Sequence, residues 1–138
     1  MCEDIHLEEN RHSFMVEALK YSYVRLPKNQ YDHGWVIVVL KKHVSELYEL
    51  SPEERHGFMD EVSAVAEAVS KEFHAVKIYY SIFGALCPHL HMHILPKKES
   101  DDPHASIDFN KNMKVLPQEE YARMIAGLKN RLKVHDRD

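Results

Sequence analysis

The chain has little with which to brace or anchor itself from outside. It has two cysteines, Cys2 and Cys87, in 138 residues. That is too few for the disulfide framework of a small secreted domain, so both read as free thiols of a reducing compartment. No apolar run exceeds the six residues Trp35 to Leu40, far short of the ~20 that a membrane span needs. The first eleven residues carry Glu3, Asp4, Glu8 and Glu9, which excludes the cationic start of a secretory or transit peptide. Positive charge is also lacking. The net charge is -4 with 11 neutral histidines, so no broad positive field exists to hold nucleic acid. A phosphate ligand would have to be held locally. These absences predict a soluble cytoplasmic chain with neither membrane nor nucleic-acid partner. The length is that of one domain, 1–138, with room for a real core.

What is present reads as α+β. Ser13 to Leu19 looks helical or irregular. Tyr21 to Leu26 has the β-branched and aromatic content of a strand, and Pro27 to Gly34 the composition of a turn. Trp35 to Leu40 is a strand apolar on both faces. Ser51-Pro52-Glu53-Glu54 carries a helix start: an N-cap serine, proline at the first helical position, and Glu54 placed to close a capping box. Phe58, Val62, Val65, Val69 and Phe73 then form one apolar stripe. Val76 to Phe83 and His89 to Leu95 read as two further strands joined by a hairpin-length turn, with Pro96 as the stop. Lys97 to Asn112 is a polar loop. Pro117 opens a second helix lined by Tyr121, Met124, Ile125, Leu128 and Leu132. The expected architecture is an antiparallel sheet with helices packed on it.

Chemistry concentrates in His89-Leu90-His91-Met92-His93-Ile94-Leu95. Strand side chains alternate, so His89, His91 and His93 share one face at ~7 Å per two-residue step, and Leu90, Met92 and Ile94 face a core. Neutral imidazole is a nucleophile, a metal ligand and a proton shuttle. Three readings stay open from the residues alone. They are nucleophilic phosphoryl chemistry, a zinc site of three histidines plus water, and a solvated patch in a histidine-rich chain.

The segment resembles the signature of the histidine triad superfamily, His-x-His-x-His followed by two apolar residues. Gly84-Ala85-Leu86-Cys87-Pro88 before it and Pro96-Lys97 after it resemble the branch reading G-N-x-x-P-H-L-H-x-H-x-x-P-R. Lys41-Lys42-His43-Val44 and the helix start from Leu47 to Glu54 resemble that family's upstream segment. The likeness covers roughly Tyr21 to Asp102.

The resemblance implies a nucleotidyl hydrolase or transferase that cleaves at the α-phosphate of a nucleotide conjugate, of the dinucleoside polyphosphate or phosphoramidate class. His91 would form a covalent nucleotidyl-histidine, with His89 orienting its neighbours and His93 binding or protonating the leaving side. It implies nucleotide contacts at Arg25, Leu26, Ala85 and Lys97, no metal, no cofactor, and a homodimer formed by joining sheets. A non-catalytic nucleotide-binding module is the alternative, with a zinc-dependent hydrolase behind it. The chain also departs from the family. Trp35 stands where many members have a further histidine, and Ala85 replaces the branch's asparagine. Lys97 replaces its arginine, keeping charge but losing bidentate geometry. His33, two residues before Trp35, would share its face if the strand began earlier, though a solvated turn histidine is the simpler reading. Lys41, Lys42 and His43 read first as a solvated strand end.

Overall fold

The computed structural model describes residues 4–84, 86–109 and 112–137, with side chains described up to residue 133. Five strands form one antiparallel sheet: β1 (Ser13–Ala18), β2 (Ser22–Pro27), β3 (Val36–Leu40), β4 (Lys77–Ser81) and β5 (His91–Lys97), in the spatial order β1-β2-β3-β5-β4. Helices α1 (Pro52–Glu72) and α2 (Gln118–Arg137) pack together against the sheet. This is the expected α+β architecture.

The helix start on α1 forms as its residues dictate. Ser51 Oγ accepts from the Glu54 amide at 3.1 Å, and Glu54 Oε1 accepts from the Ser51 amide at 2.8 Å, so two otherwise unpaired donors are satisfied. The stripe Phe58, Val62, Val65 and Val69 is buried. It meets Val16, Val24, Leu26, Val36, Val38, Leu40, Leu90, Met92 and Ile94 in the main core. Gly34 holds a φ of 94°, and a Cβ there would stand 2.7 Å from Pro96 and 2.9 Å from Phe73. Only glycine lets the turn close tightly enough for β3 to begin.

Three expectations need correction. Ser13–Ala18 is a strand, with a register shift between Met15 and Glu17. Its pairing with β2 overrides a weak local preference. Pro96 lies inside β5 rather than ending it. Past the pair Val36 and Ile94, β5 has only β4 beside it, and a strand paired on one side tolerates a missing N–H. Cys87 is disulfide-bonded, not a free thiol; Cys2 lies outside the described residues.

The opposite sheet face carries a smaller apolar cluster of Trp35, Ile37, Val39 and Leu95, covered by Ile5, Ile107 and Phe109. The register sets Arg25 beside Ile37, Ile37 beside His93, and His93 beside Ser81. One row across four strands therefore joins the buried arginine of β2 to the histidine strand on a single face.

Candidate active site

His91 and His93 project from β5 onto this second face, and His89 lies just before the strand. All three are buried, yet their hydrogen bonds differ. His91 Nδ1 stands 2.7 Å from the carbonyl oxygen of His89. A carbonyl only accepts, so Nδ1 carries the proton and Nε2 keeps its lone pair. That Nε2 has no hydrogen-bond partner among the described residues. Among the described residues no side-chain nitrogen or oxygen is both fully buried and unpartnered, so the atom reaches solvent. Burial lowers the His91 pKa from its ordinary 6.5, partly offset by the bond to the His89 carbonyl. The ring is thus a neutral base with its free lone pair outward.

His89 Nε2 lies 2.5 Å from the Leu40 carbonyl oxygen, and its Nδ1 lies 3.2 Å from Nδ1 of His43. In the neutral rings His89 donates to Leu40 and accepts from His43. The strand-end His43 therefore belongs to the cluster, a part that composition alone did not indicate. Its neighbour Lys42 turns to Glu54.

His93 Nδ1 accepts from the indole Nε1 of Trp35 at 3.1 Å. The His91 and His93 ring centroids are 4.9 Å apart, edge to face. Phe109 stacks on both Trp35 and His93, at 4.2 and 4.4 Å, and Phe83 flanks His93. Desolvation, with His91 nearby, lowers the His93 pKa to about 3. Trp35, read in sequence as a departure, is thus the direct partner of the third histidine.

The other expected contacts scatter. Arg25 shares the face, but its guanidinium is turned to its own chain. Nε donates to Ser13 Oγ at 2.8 Å, Nη2 to the Ser13 carbonyl at 2.9 Å, and Nη1 to the carbonyls of Ile5, at 2.9 Å, and Leu7. It clamps the N-terminal segment over the sheet. Leu26 points to the helix side, in the main core. Lys97 is four residues beyond His93, on the order of 13 Å along the strand. It sits over the Tyr79 ring and beside a cavity of about 200 Å3 lined also by Asp32, Lys98 and Asp101. Ala85 lies outside the described residues. His33 does not join the triad; it pairs with Glu120 and meets the edge of Phe73. No group of three or more His, Cys, Asp or Glu among the described residues is arranged to hold a metal ion.

Comparison with known proteins bears on the family and the fold. The family model "HIT domain" matches residues 8–100, and the chain belongs to the HIT domain family. A histidine triad protein from Bradyrhizobium japonicum superposes with a TM-score of 0.80 at 20% identity, covering 88% of this chain and 91% of that one. The hypothetical histidine triad nucleotide-binding protein of Sulfolobus tokodaii strain7 gives 0.75 at 22% identity, covering 96% and 90%. The diadenosine triphosphate hydrolase of Plasmodium falciparum gives 0.67 at 17% identity, covering 91% and 78%. At these identities the likeness is one of fold. No curated protein matches the chain.

Proposed function

We propose that the protein is a nucleotidyl hydrolase or transferase acting through His91. The carrying observation is the bond from His91 Nδ1 to the His89 carbonyl, which leaves Nε2 unprotonated and open to solvent. Family membership and the fold shared with a diadenosine triphosphate hydrolase support the reading.

The lone pair on Nε2 attacks the α-phosphorus of a nucleotide conjugate. A P–N bond forms, the bond from phosphorus to the leaving group breaks, and its electron pair departs with that group. The charge gained by the imidazole ring is held through Nδ1–H on the His89 carbonyl, so a displacement at phosphorus is divided into two easier ones. Water or another acceptor then attacks phosphorus. The P–N bond breaks, its pair returns to Nε2, and the acceptor's proton passes to solvent. His93, whose Nε2 has no hydrogen-bond partner among the described residues, binds a phosphoryl oxygen. The test is to mix the protein with a dinucleoside polyphosphate labelled at the α-phosphate, quench in base, and map the label. Label on His91, absent in His91→Gly, is expected. A conjugate that binds but never labels the protein or turns over would make the domain a binding module instead.

The active form in this proposal is a homodimer. β4 is an edge strand with an unpaired row of backbone groups, a template for pairing with another copy. Val76, Tyr80, Ile82, Phe83 and Leu86 are large exposed apolar side chains on that strand and its flanks. Among the described residues no helix is long and apolar enough to cross a membrane.

A further inference from the structure

An indole N–H can only donate. Trp35 Nε1 donates to His93 Nδ1 in a buried contact at 3.1 Å, and the two rings lie within 24° of coplanar. Phe109 stacks over both rings, inclined 12° to Trp35 and 15° to His93. Trp35 is itself fixed from behind. The fully buried Gln30 donates to the carbonyls of Pro27 and Trp35 at 3.0 Å each, and accepts from the Gly34 amide at 2.8 Å. The turn that delivers Trp35 is thus pinned on both sides. With Nδ1 accepting, the single proton of a neutral His93 sits on Nε2. An imidazolium would set two N–H groups against each other.

We propose that Trp35 is a positioning residue that locks His93 as the neutral Nε2–H tautomer, so that this ring binds a phosphoryl oxygen but gives no proton to the departing group, and the site is confined to leaving groups that depart as stable anions. The proposal rests on the function proposed above and narrows it. In the neutral triad the other two N–H groups are already committed. His91 holds its proton on the His89 carbonyl, and His89 holds its own on the Leu40 carbonyl. When the P–N bond to His91 forms, the electron pair of the broken bond must leave with the substrate. A phosphate-type or sulfate oxygen carries that pair without protonation. The nitrogen of a phosphoramidate does not, because an amide anion is far too basic to be expelled. Burial of His93 acts in the same sense, opposing its charging.

Two measurements on the full chain test this. Long-range proton–nitrogen correlation on histidine-labelled protein, between about pH 5.5 and 8, reads the tautomer directly. His93 is expected with Nε2 protonated and Nδ1 bare across that range, and Trp35→Phe, which keeps a flat ring and removes the donor, mixes the two tautomers. Rapid-quench rates of His91 labelling are then compared for a phosphoanhydride and a phosphoramidate of the same nucleoside monophosphate. The anhydride is expected to be faster by about a hundredfold or more, on the order of what one missing proton-transfer partner costs. Trp35→His, which restores an ionisable partner, narrows that ratio. A wild-type His93 that is charged or protonated on Nδ1 would overturn the proposal, as would equal labelling from both conjugates. Neither wild-type result depends on a variant folding. Failure of every conjugate to label His91 would overturn the proposed function and the leaving-group restriction with it, while the wild-type tautomer would still decide the role of Trp35.

Discussion

His91 donates its Nδ1–H to the carbonyl oxygen of His89, two residues back along the chain, at 2.7 Å. This one bond decides which nitrogen of the central ring can react. It needs no second side chain, because the strand's own backbone supplies the acceptor. The strand that places the ring also sets its tautomer.

The first prediction concerns pH and rate. The nucleophile works only when unprotonated, and burial holds the His91 pKa below 6.5. Activity, followed as kcat/KM, is expected to stay level as pH falls through 6.5 and to decline only on the acid side of that value. An acid limb centred above 6.5 would show a solvated, ordinary imidazole.

Stability follows the same histidines. A histidine whose folded pKa is depressed stabilises the fold fully above its unfolded value, near 6.5, and loses that contribution as pH falls toward the folded value. For His93 the window runs from about 6.5 down to about 3. Across it the protein should lose stability by up to roughly 5 kcal/mol from this group. Urea unfolding at a series of pH values checks it. His93→Gln should flatten the acid dependence, and an unchanged slope would contradict the assignment.

Arg25 is expected to act as a clamp and not as a ligand for nucleotide. Its guanidinium bonds to Ser13, Ile5 and Leu7 inside the protein. Arg25→Met should cost about 3 kcal/mol through the unpaired carbonyls it leaves and should speed amide exchange across residues 5–8. Weakened nucleotide binding with stability and exchange unchanged would reverse this reading.

The free edge of β4 should carry the contact between copies. Sedimentation is expected to give twice the 16.2 kDa monomer mass. Tyr80→Glu places charges on an exposed position of that strand, where like charges across a pairing repel, and should shift the species to monomer without unfolding it. A wild-type monomer at micromolar concentration would contradict the dimer.

His43 should matter through His89. Its Nδ1 lies against Nδ1 of His89, so His43→Ala frees the first triad ring to turn. A fall in kcat of a few fold with KM unchanged is expected, the size of one lost neutral hydrogen bond. His43→Asn should rescue part of it. A change in KM alone would mean that His43 contacts the ligand instead.

The fold was largely legible because its signals are local. The Ser51–Glu54 box and the stripe from Phe58 to Val69 are local and formed as expected; the alternating strand also formed, but over His91–Lys97 rather than His89 to Leu95. Ser13–Ala18 was not legible, because its strand state comes from pairing with β2. In the site, the shared face of His91 and His93 followed from strand period; His89 lies before the strand, and its place against Leu40 and His43 did not. Nor did the roles of Trp35 and His43. Trp35 reaches His93 over a separation of 58 residues and His43 reaches His89 over 46, distances that only the β3–β5 pairing closes. Arg25 and Leu26 were both expected at the nucleotide, yet strand alternation puts Leu26 in the main core, and no local pattern told that the Arg25 donors close on the N-terminal segment.

The central claim is that Nε2 of His91 bonds covalently to an α-phosphorus, and mass spectrometry of base-quenched protein tests it most directly. After seconds with a dinucleoside polyphosphate, the peptide bearing His91 should gain the mass of one nucleoside monophosphate residue, with fragmentation placing it on that ring, and His91→Gly should gain nothing. The adduct on His89 or His93, or an unmodified protein during measured turnover, would contradict the account.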